Sequence, residues 1–243
     1  MKSSTNALIF AVAIIAASFF LGKAYIDRKK PVGTIQVTGL GKADFTSDLI
    51  VWEGNFESRN YDLKQAYSHL EKEKDMINAY LSNKGVNSKD IVFSAVKTQL
   101  LSKTNYSSDG KYIGEEFNGY LLKQTVTIQS KEVEKIESIS REITELLNKG
   151  VQLYSQPPRY YYTKLADLKI EMISKATEDA RIRAEKIAQF SGGKLGELVS
   201  ARMGVFQITG QYSKEEYSWG GTFNTASKEK TASITMKLVY KVD

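Results

Sequence analysis

Apolar and polar residues alternate in several stretches of the chain, a pattern typical of strands with one buried face. Ile35 and Val37 predict a first strand that ends at a turn formed by Gly39-Leu-Gly41. Ile50, Trp52 and Phe56 predict a second strand. The last strand has the cleanest alternation, with an inward set consisting of Ala232, Ile234, Met236, Leu238, Tyr240 and Val242.

Two segments show helical spacing instead. Apolar residues from Leu63 to Leu81 and from Val133 to Leu146 form stripes, and each stripe ends at Asn-Lys-Gly-Val. Between the helices we predict two strands joined by a turn at Ser107 to Gly110. A strand interrupted by Pro157 and Pro158 follows the second helix, which indicates an edge or a bulge. The predicted order is strand, helix, strand, strand, helix, strand, which is ferredoxin-like.

A third long helix is organised around alanine. Ala176, Ala180, Ala184 and Ala188 recur every four residues, and side chains this small let a helix lie close against a sheet. Ile173 and Ile187 lie near the same stripe in this interpretation. On the opposite face, Glu171 precedes Lys175 and Asp179 precedes Arg183 at the four-residue spacing of stabilising ion pairs. Gly192 and Gly193 end the helix, and a strand from Leu195 to about Ile208 follows.

Residues 210–230 carry no predicted element. Loops of this length in compact domains are usually functional or disordered, and aromatic residues favour an ordered one. The aromatic residues, which are the candidate interaction residues, are Tyr212, Tyr217, Trp219 and Phe223. Three interpretations stay open: a flap over the protein's own core, a contact between subunits, and a platform for a ligand or glycan.

The N-terminus has an apolar run from Ala7 to Leu21. This run predicts a separate segment over residues 1–30, followed by one domain over residues 31–243. Extended to Ile26, the run is long enough for an uncleaved transmembrane signal anchor. A cleaved signal peptide is the alternative, with Gly22-Lys-Ala24 as a poor cleavage site. Arg28, Lys29 and Lys30 after the run favour a cytoplasmic body, which conflicts with export.

Charge and composition exclude several classes of function. The net charge is +6, but the rest of the chain after Pro31 holds 29 basic and 27 acidic residues, so a nucleic-acid surface is not favoured. Cysteine is absent and His69 is the single histidine, which excludes thiolate chemistry and a multi-histidine metal site within one chain. Scattered carboxylates could serve a hydrolase, namely Glu115, Glu116, Glu215 and Glu216. Because adjacent carboxylates in polar loops are normally solvated, we predict no catalytic, cofactor or metal site.

Several segments, taken in order, resemble the SIMPL-domain family, whose bacterial members include the YggE-like and periplasmic immunogenic proteins. The similar segments are Ile35-Gln-Val-Thr-Gly39 with Asp48, Lys89-Asp-Ile91, Gly119-Tyr120, Gln124-Thr-Val-Thr-Ile128, Val133-Glu-Lys-Ile136 and the alanine helix through Leu195-Gly196. The chain departs from the family where Ser47 replaces a frequent proline before Asp48, and where Ser227 to Lys230 replaces a proline-glycine turn.

The resemblance implies an α+β body with a mixed or antiparallel sheet and about three long helices. It also implies a place in the cell envelope, either on the inner membrane facing the periplasm or free in the periplasm. Some members are associated with oligomeric assembly or stress tolerance, and none brings catalytic residues. We therefore expect a non-enzymatic envelope protein that binds the membrane through its N-terminal helix and forms a homo-oligomer. The alternative is an envelope ligand-binding or glycan-binding module that uses loop 211–227.

Overall fold

The computed structural model describes residues 2–29 and 33–242, and in the first helix it describes the side chains of residues 10–25. The fold is α+β, as predicted. Its helices are α1 (Lys2–Lys29), α2 (Leu63–Asn83), α3 (Val133–Glu142) and α4 (Leu165–Phe190). Its strands are β1 (Thr34–Thr46), β2 (Leu49–Asn60), β3 (Ile91–Phe93), β4 (Lys97–Tyr106), β5 (Tyr112–Ser130), β6 (Leu153–Ser155), β7 (Arg159–Tyr161), β8 (Leu195–Met203), β9 (Gln207–Gly210) and β10 (Glu229–Val242).

The chain divides into two compact units. The first comprises residues 1–40, 176–204 and 235–243, and the second comprises residues 41–175 and 205–234. Strands β1 and β10 and helix α4 each contribute residues to both units.

A six-stranded sheet forms the larger part of the second unit. Its order is β3-β5-β2-β6, with β4 also paired to β5 and β7 also paired to β2, and all of these pairs are antiparallel. The order along the chain is β2, α2, β3, β4, β5, α3, β6, β7, so it follows the predicted order except that the strand predicted from Ile91 divides into β3 and β4 and the last one into β6 and β7. The proline pair separates β6 from β7 at the edge of this sheet, as its sequence indicated.

The core of the second unit lies between this sheet and helices α2 and α3. The predicted stripe from Val133 to Leu146 is buried throughout. In α2, Ala66, Leu70, Ile77 and Leu81 are buried, whereas Leu63 and Tyr67 are more than 40% exposed. Trp52 and Phe56 fill the facing side of β2. Helix α3 ends earlier than predicted, at Glu142, and the chain continues as a 3₁₀ segment over Ile143–Lys149. Gly150 follows at φ 82°, the left-handed conformation that ends helices.

In the first unit, the four alanines of α4 are fully or almost fully buried, which confirms the predicted stripe. Ile187 does not belong to it, because its side chain is 46% exposed. Strand β8 pairs antiparallel with the second half of β10. The predicted turn at Gly39 is wrong: β1 runs straight through it to Thr46. A Cβ on Gly39 would lie 2.1 Å from the Ala176 carbonyl oxygen, so this glycine serves the close approach of strand and helix rather than a turn.

Helix α1 extends over Lys2–Lys29, and its side chains from Phe10 to Tyr25 are exposed. Within the part of the chain that the structure describes, no helix is both long and apolar enough to cross a membrane. The predicted anchor or signal segment also covers residues 2–9 and 26–30, and its basic flank at Arg28 to Lys30 lies among them, outside the described side chains.

Candidate interaction surfaces

The loop that carries the candidate aromatic residues connects β9 to β10 and is held against β9 by hydrogen bonds. The side-chain amide of Gln207 forms a hydrogen bond to the loop at each end. Its Nε2 donates to the Ser218 carbonyl (2.8 Å), and its Oε1 accepts from the Thr222 amide (2.7 Å). Ile208 also bonds the returning half of the loop through its own backbone, donating to the Thr222 carbonyl (2.7 Å) and accepting from the Asn224 amide (2.9 Å). The loop is therefore an ordered extension of the sheet.

Glu215 fastens the first half of the loop. Its carboxylate accepts hydrogen bonds from the Gly210 amide (2.8 Å), the Ser213 hydroxyl (3.3 Å) and the Asn224 side-chain amide. The Gly210 bond is the main reason why the pKa of Glu215 is below its usual value, and the Asn224 and Ser213 bonds add to the effect. A carboxylate in a polar loop was expected to be solvated, whereas this one has a structural role.

Lys230 lies beside this cluster and is almost completely buried, with 2% of its surface exposed. Its ammonium group donates a hydrogen bond to the Tyr160 carbonyl oxygen. Burial lowers the pKa of Lys230 to about 8, and the negative charge of Glu215 opposes part of that change. The cluster is therefore a polar support for the loop in which Lys230 and Asn224 are buried and Ser213 and Glu215 are exposed.

The aromatic rings above this support are exposed. Tyr212 is 95% and Trp219 101% exposed, while Tyr217 and Phe223 are exposed by 65% and 53%. None of the four rings stacks on another aromatic ring in the described part of the chain. The flap interpretation is not supported, since a flap would bury Tyr212 and Trp219. Subunit contact and ligand platform both remain as hypotheses.

A second apolar surface, which the sequence did not indicate, lies on the hairpin of β4 and β5. Strand β2 pairs with β5 only from Tyr120 to Ser130, so residues 112–119 have β4 as their one strand partner among the residues described. We call residues 101–119 the arm. It is a two-stranded ribbon that continues beyond the sheet.

The arm exposes large apolar side chains along its length. Those of Tyr106, Tyr112 and Ile113 are all more than 60% exposed, and that of Phe117 is 47% exposed. The rings of Tyr106 and Tyr112 meet edge to face across the hairpin at 6.4 Å. Sequence reasoning missed this surface because strand-forming apolar residues are ordinarily assigned to a core, and only the pairing of β2 shows where the sheet stops.

The other candidate residues are dispersed. Glu115 and Glu116 lie on the arm, His69 is exposed on α2, and Glu216 lies in the aromatic loop. Among the residues that the structure describes, no group of three or more acidic or histidine side chains could hold a metal ion.

Comparison with known proteins identifies a family. The profile of the SIMPL family, described as a protein of unknown function (DUF541), matches residues 35–240. No curated protein matches the chain. The matched region includes helices α2 to α4, strands β2 to β9 and all but the outermost residues of β1 and β10. The chain therefore belongs to the SIMPL family.

Proposed function

We propose that this protein is a non-enzymatic component of the cell envelope that associates with further copies of itself through the arm. The observation that carries the proposal is the ribbon of residues 101–119, which leaves the sheet with its apolar side chains exposed. The second copy is the proposed occupant because the arm offers both an unpaired strand edge and an apolar surface, and two identical arms can satisfy each other.

The energetics favour a covered arm. An isolated two-stranded hairpin is at best marginally stable in water, because it has too little apolar surface to bury. Burying one large apolar side chain contributes about 1.5–3 kcal/mol, so covering Tyr106, Tyr112, Ile113 and Phe117 would stabilise the ribbon substantially. The outer edge of β4 adds free backbone groups for pairing with another strand.

The proposed location in the envelope has two supports, the family resemblance and the exposed apolar face of α1. Phe10, Ile15, Phe19 and Leu21 are each at least 67% exposed, a surface suited to the apolar interior of a membrane. We propose that the body faces the periplasm, with α1 as an inner-membrane anchor, or that the protein is periplasmic if α1 is removed. A contribution to stress tolerance belongs to the same proposal.

The mass of the assembly tests whether copies associate through the arm. In sedimentation equilibrium of the full chain in density-matched detergent, we expect a mass that is a multiple of 27.2 kDa. The double variant Ile113→Lys, Phe117→Lys should fall to the single-chain mass while keeping the circular dichroism spectrum of the wild type. Leu147→Lys, an equally exposed apolar position on the 3₁₀ segment, is the matched control and should keep the wild-type mass. A monomeric wild type, or an arm variant with the wild-type mass, contradicts the proposal.

A ligand-binding module is the second candidate, and the full exposure of Trp219, on a loop held by hydrogen bonds of Gln207 and Glu215, favours it. A rigid aromatic surface binds flat ligands and sugar rings at low entropic cost. Glycans and peptidoglycan fragments should then quench the fluorescence of Trp219, while Trp52, which is fully buried, responds little. Trp219→Phe should remove the response. A signal that persists in this variant, or no response from the wild type, excludes the loop as the binding site.

A further inference from the structure

The outer edge of β4 is regular and has no strand partner. Strand β4 pairs with β5 on one side, and on its other side it forms no backbone hydrogen bond with the described part of the chain. The pairing with β5 has two irregularities, and in each of them the additional residue belongs to β5. The free edge of β4 is therefore not interrupted by a bulge, so a further strand can pair with it.

An aromatic pocket lies beside this edge. It is open, has a volume of about 670 Å³, and is formed by the start of α2 together with Thr98 of β4 and two residues of β5. Its large side chains that remain exposed are Tyr61, Leu63 and Tyr67. Because alternate residues of a strand share one face, Tyr106 lies on the same face of β4 as Thr98, at the far end of the strand.

The pocket continues the apolar surface of the arm. The ring of Phe117, on the arm, meets the rings of Tyr61 (6.1 Å) and Tyr120 (5.2 Å), and both tyrosines line the pocket. Leu100 pairs with Tyr120 across β4 and β5, and its side chain is 67% exposed. The surface through which the arm is proposed to associate therefore extends to the start of α2.

The two lysines of β4 restrict how two copies of this edge can pair. Opposed residues of antiparallel strands point to the same face, so a two-fold axis between identical strands passes through one residue, which then opposes its own copy. An axis at Leu101 or at Ser102 pairs all but one residue of β4. A shift of one residue further, in either direction, brings Lys97 opposite Lys103 or Lys103 opposite its own copy. Like charges in direct opposition destabilise a strand pair, so the two central positions of the axis are favoured.

We propose that two copies pair through antiparallel β4 edges about Ser102, and that Tyr106 of each copy enters the aromatic pocket of the other. The inference rests on the proposed function and specifies its contact. With the axis at Ser102, Tyr106 of one copy lies opposite Thr98 of the other, on the face that lines the pocket. An axis at Leu101 would place Tyr106 opposite Val96, which precedes β4 and does not line the pocket. Each copy thus supplies an aromatic ring that fills the pocket of its partner.

Disulfide crosslinking tests this register directly, because the chain has no cysteine of its own. Oxidation of the full-chain Ser102→Cys variant in detergent should give a covalent dimer, since opposed Cα atoms lie about 4.5–5.5 Å apart. Leu101→Cys is the matched control and should stay uncrosslinked, because the two copies of residue 101 would be offset diagonally, beyond the reach of a disulfide. A covalent dimer of Leu101→Cys, or none of Ser102→Cys, overturns the register.

The masses of the same proteins before oxidation separate this inference from the proposed function. If Ser102→Cys has the assembled mass of the wild type but does not crosslink, the register is refuted and association through the arm stands. If the wild type has the single-chain mass, both are refuted.

A variant of the pocket wall tests the seat of Tyr106. Leu63→Lys places a charge where the aromatic ring would be buried, and it should raise the dissociation constant of the assembly about tenfold or more. Since Leu63 is 43% exposed, this variant is expected to fold, which an unchanged circular dichroism spectrum would verify. Leu147→Lys again serves as the control and should leave the dissociation constant unchanged. An unchanged dissociation constant for Leu63→Lys overturns the placement of Tyr106 in the pocket.

Discussion

At position 39, the absence of a side chain sets how closely β1 and α4 can pack. A Cβ there would meet two backbone atoms, the Ala176 carbonyl oxygen at 2.1 Å and the Ala180 amide nitrogen at 2.4 Å. Neither can move aside as a flexible side chain could. Gly39→Ala should therefore lower the free energy of unfolding by about 3 kcal/mol, the upper range for overpacking. Urea unfolding followed by circular dichroism measures this.

Gly33 is the matched control for that substitution. Its added Cβ would lie 3.8 Å from the Val242 Cβ, an ordinary van der Waals distance. Gly33→Ala should therefore change stability by less than about 0.5 kcal/mol. Equal unfolding midpoints for the two variants would refute the close-packing role assigned to Gly39.

The protonation state of Lys230 makes the stability of the protein depend on pH. Burial lowers its pKa to about 8 in the folded protein, whereas an unfolded lysine titrates near about 10.4. Between these values the unfolded chain holds a proton that the folded chain has released, so the free energy of unfolding rises with pH. From pH 7.5 to pH 9.5 we expect Lys230 to contribute a rise on the order of 2 kcal/mol.

Comparison with Lys230→Met isolates this contribution. Between pH 7.5 and pH 9.5, the difference in unfolding free energy between wild type and variant should change by an amount on the order of 2 kcal/mol. Lys237→Met, at an exposed position of the same strand, should follow the wild-type profile. A Lys230→Met variant with the wild-type slope would show that the buried ammonium keeps its proton.

Among the elements, the first half of the aromatic loop is held in place by one carboxylate. Glu215 holds the Gly210 amide, the Ser213 hydroxyl and the Asn224 side chain, and bonds to a charged acceptor are stronger than neutral ones. Glu215→Gln should accelerate proteolysis within residues 211–228 about tenfold, because local opening of the loop becomes easier. Global unfolding should change little.

Glu216→Gln is the neighbouring control, since the Glu216 side chain makes no hydrogen bond within the described chain. Cleavage of this variant at the wild-type rate would confirm that the anchoring belongs to Glu215 and not to loop charge in general. Equal acceleration in both variants would contradict the anchoring role.

Elements whose pattern is local could be predicted from the sequence. The buried positions Ala66, Leu70, Ile77 and Leu81 of α2 follow from residues close together in the chain, as does the alternation of β10 from Ile234 to Tyr240, and both are confirmed. The path of β1 through Gly39 could not be predicted, because it depends on α4, more than a hundred residues away. The arm was missed for a similar reason: its exposure is set by where β2 stops pairing.

Features of the candidate surfaces also differ in whether the local sequence indicates them. Tyr212, Tyr217, Trp219 and Phe223 could be named from composition and loop length, and all four side chains are exposed. The burial of Ser47 could not be found either, because the Lys228 carbonyl, to which its backbone amide donates (3.0 Å), lies far along the chain. Nor does any sequence pattern distinguish Glu215, which is bonded, from Glu216.

For the molecule as a whole, the repulsion due to net charge and the proposed apolar contact respond differently to salt. The chain carries +6, so copies repel one another weakly, while the proposed contact is apolar. Raising sodium chloride from about 0.1 M to 0.5 M shortens the screening length below about 10 Å and weakens charge contacts only. We therefore expect the dissociation constant of the assembly to change by less than about twofold or to decrease.

Ammonium sulfate provides the positive control, because it strengthens apolar burial by exclusion from protein surfaces. It should tighten association of the wild type and leave the Ile113→Lys, Phe117→Lys variant monomeric. Dissociation by sodium chloride would instead assign the contact to ion pairs between copies. In that case the charged residues of the arm, such as Lys103 opposite Glu116, would be the contact, and its apolar side chains would need another partner.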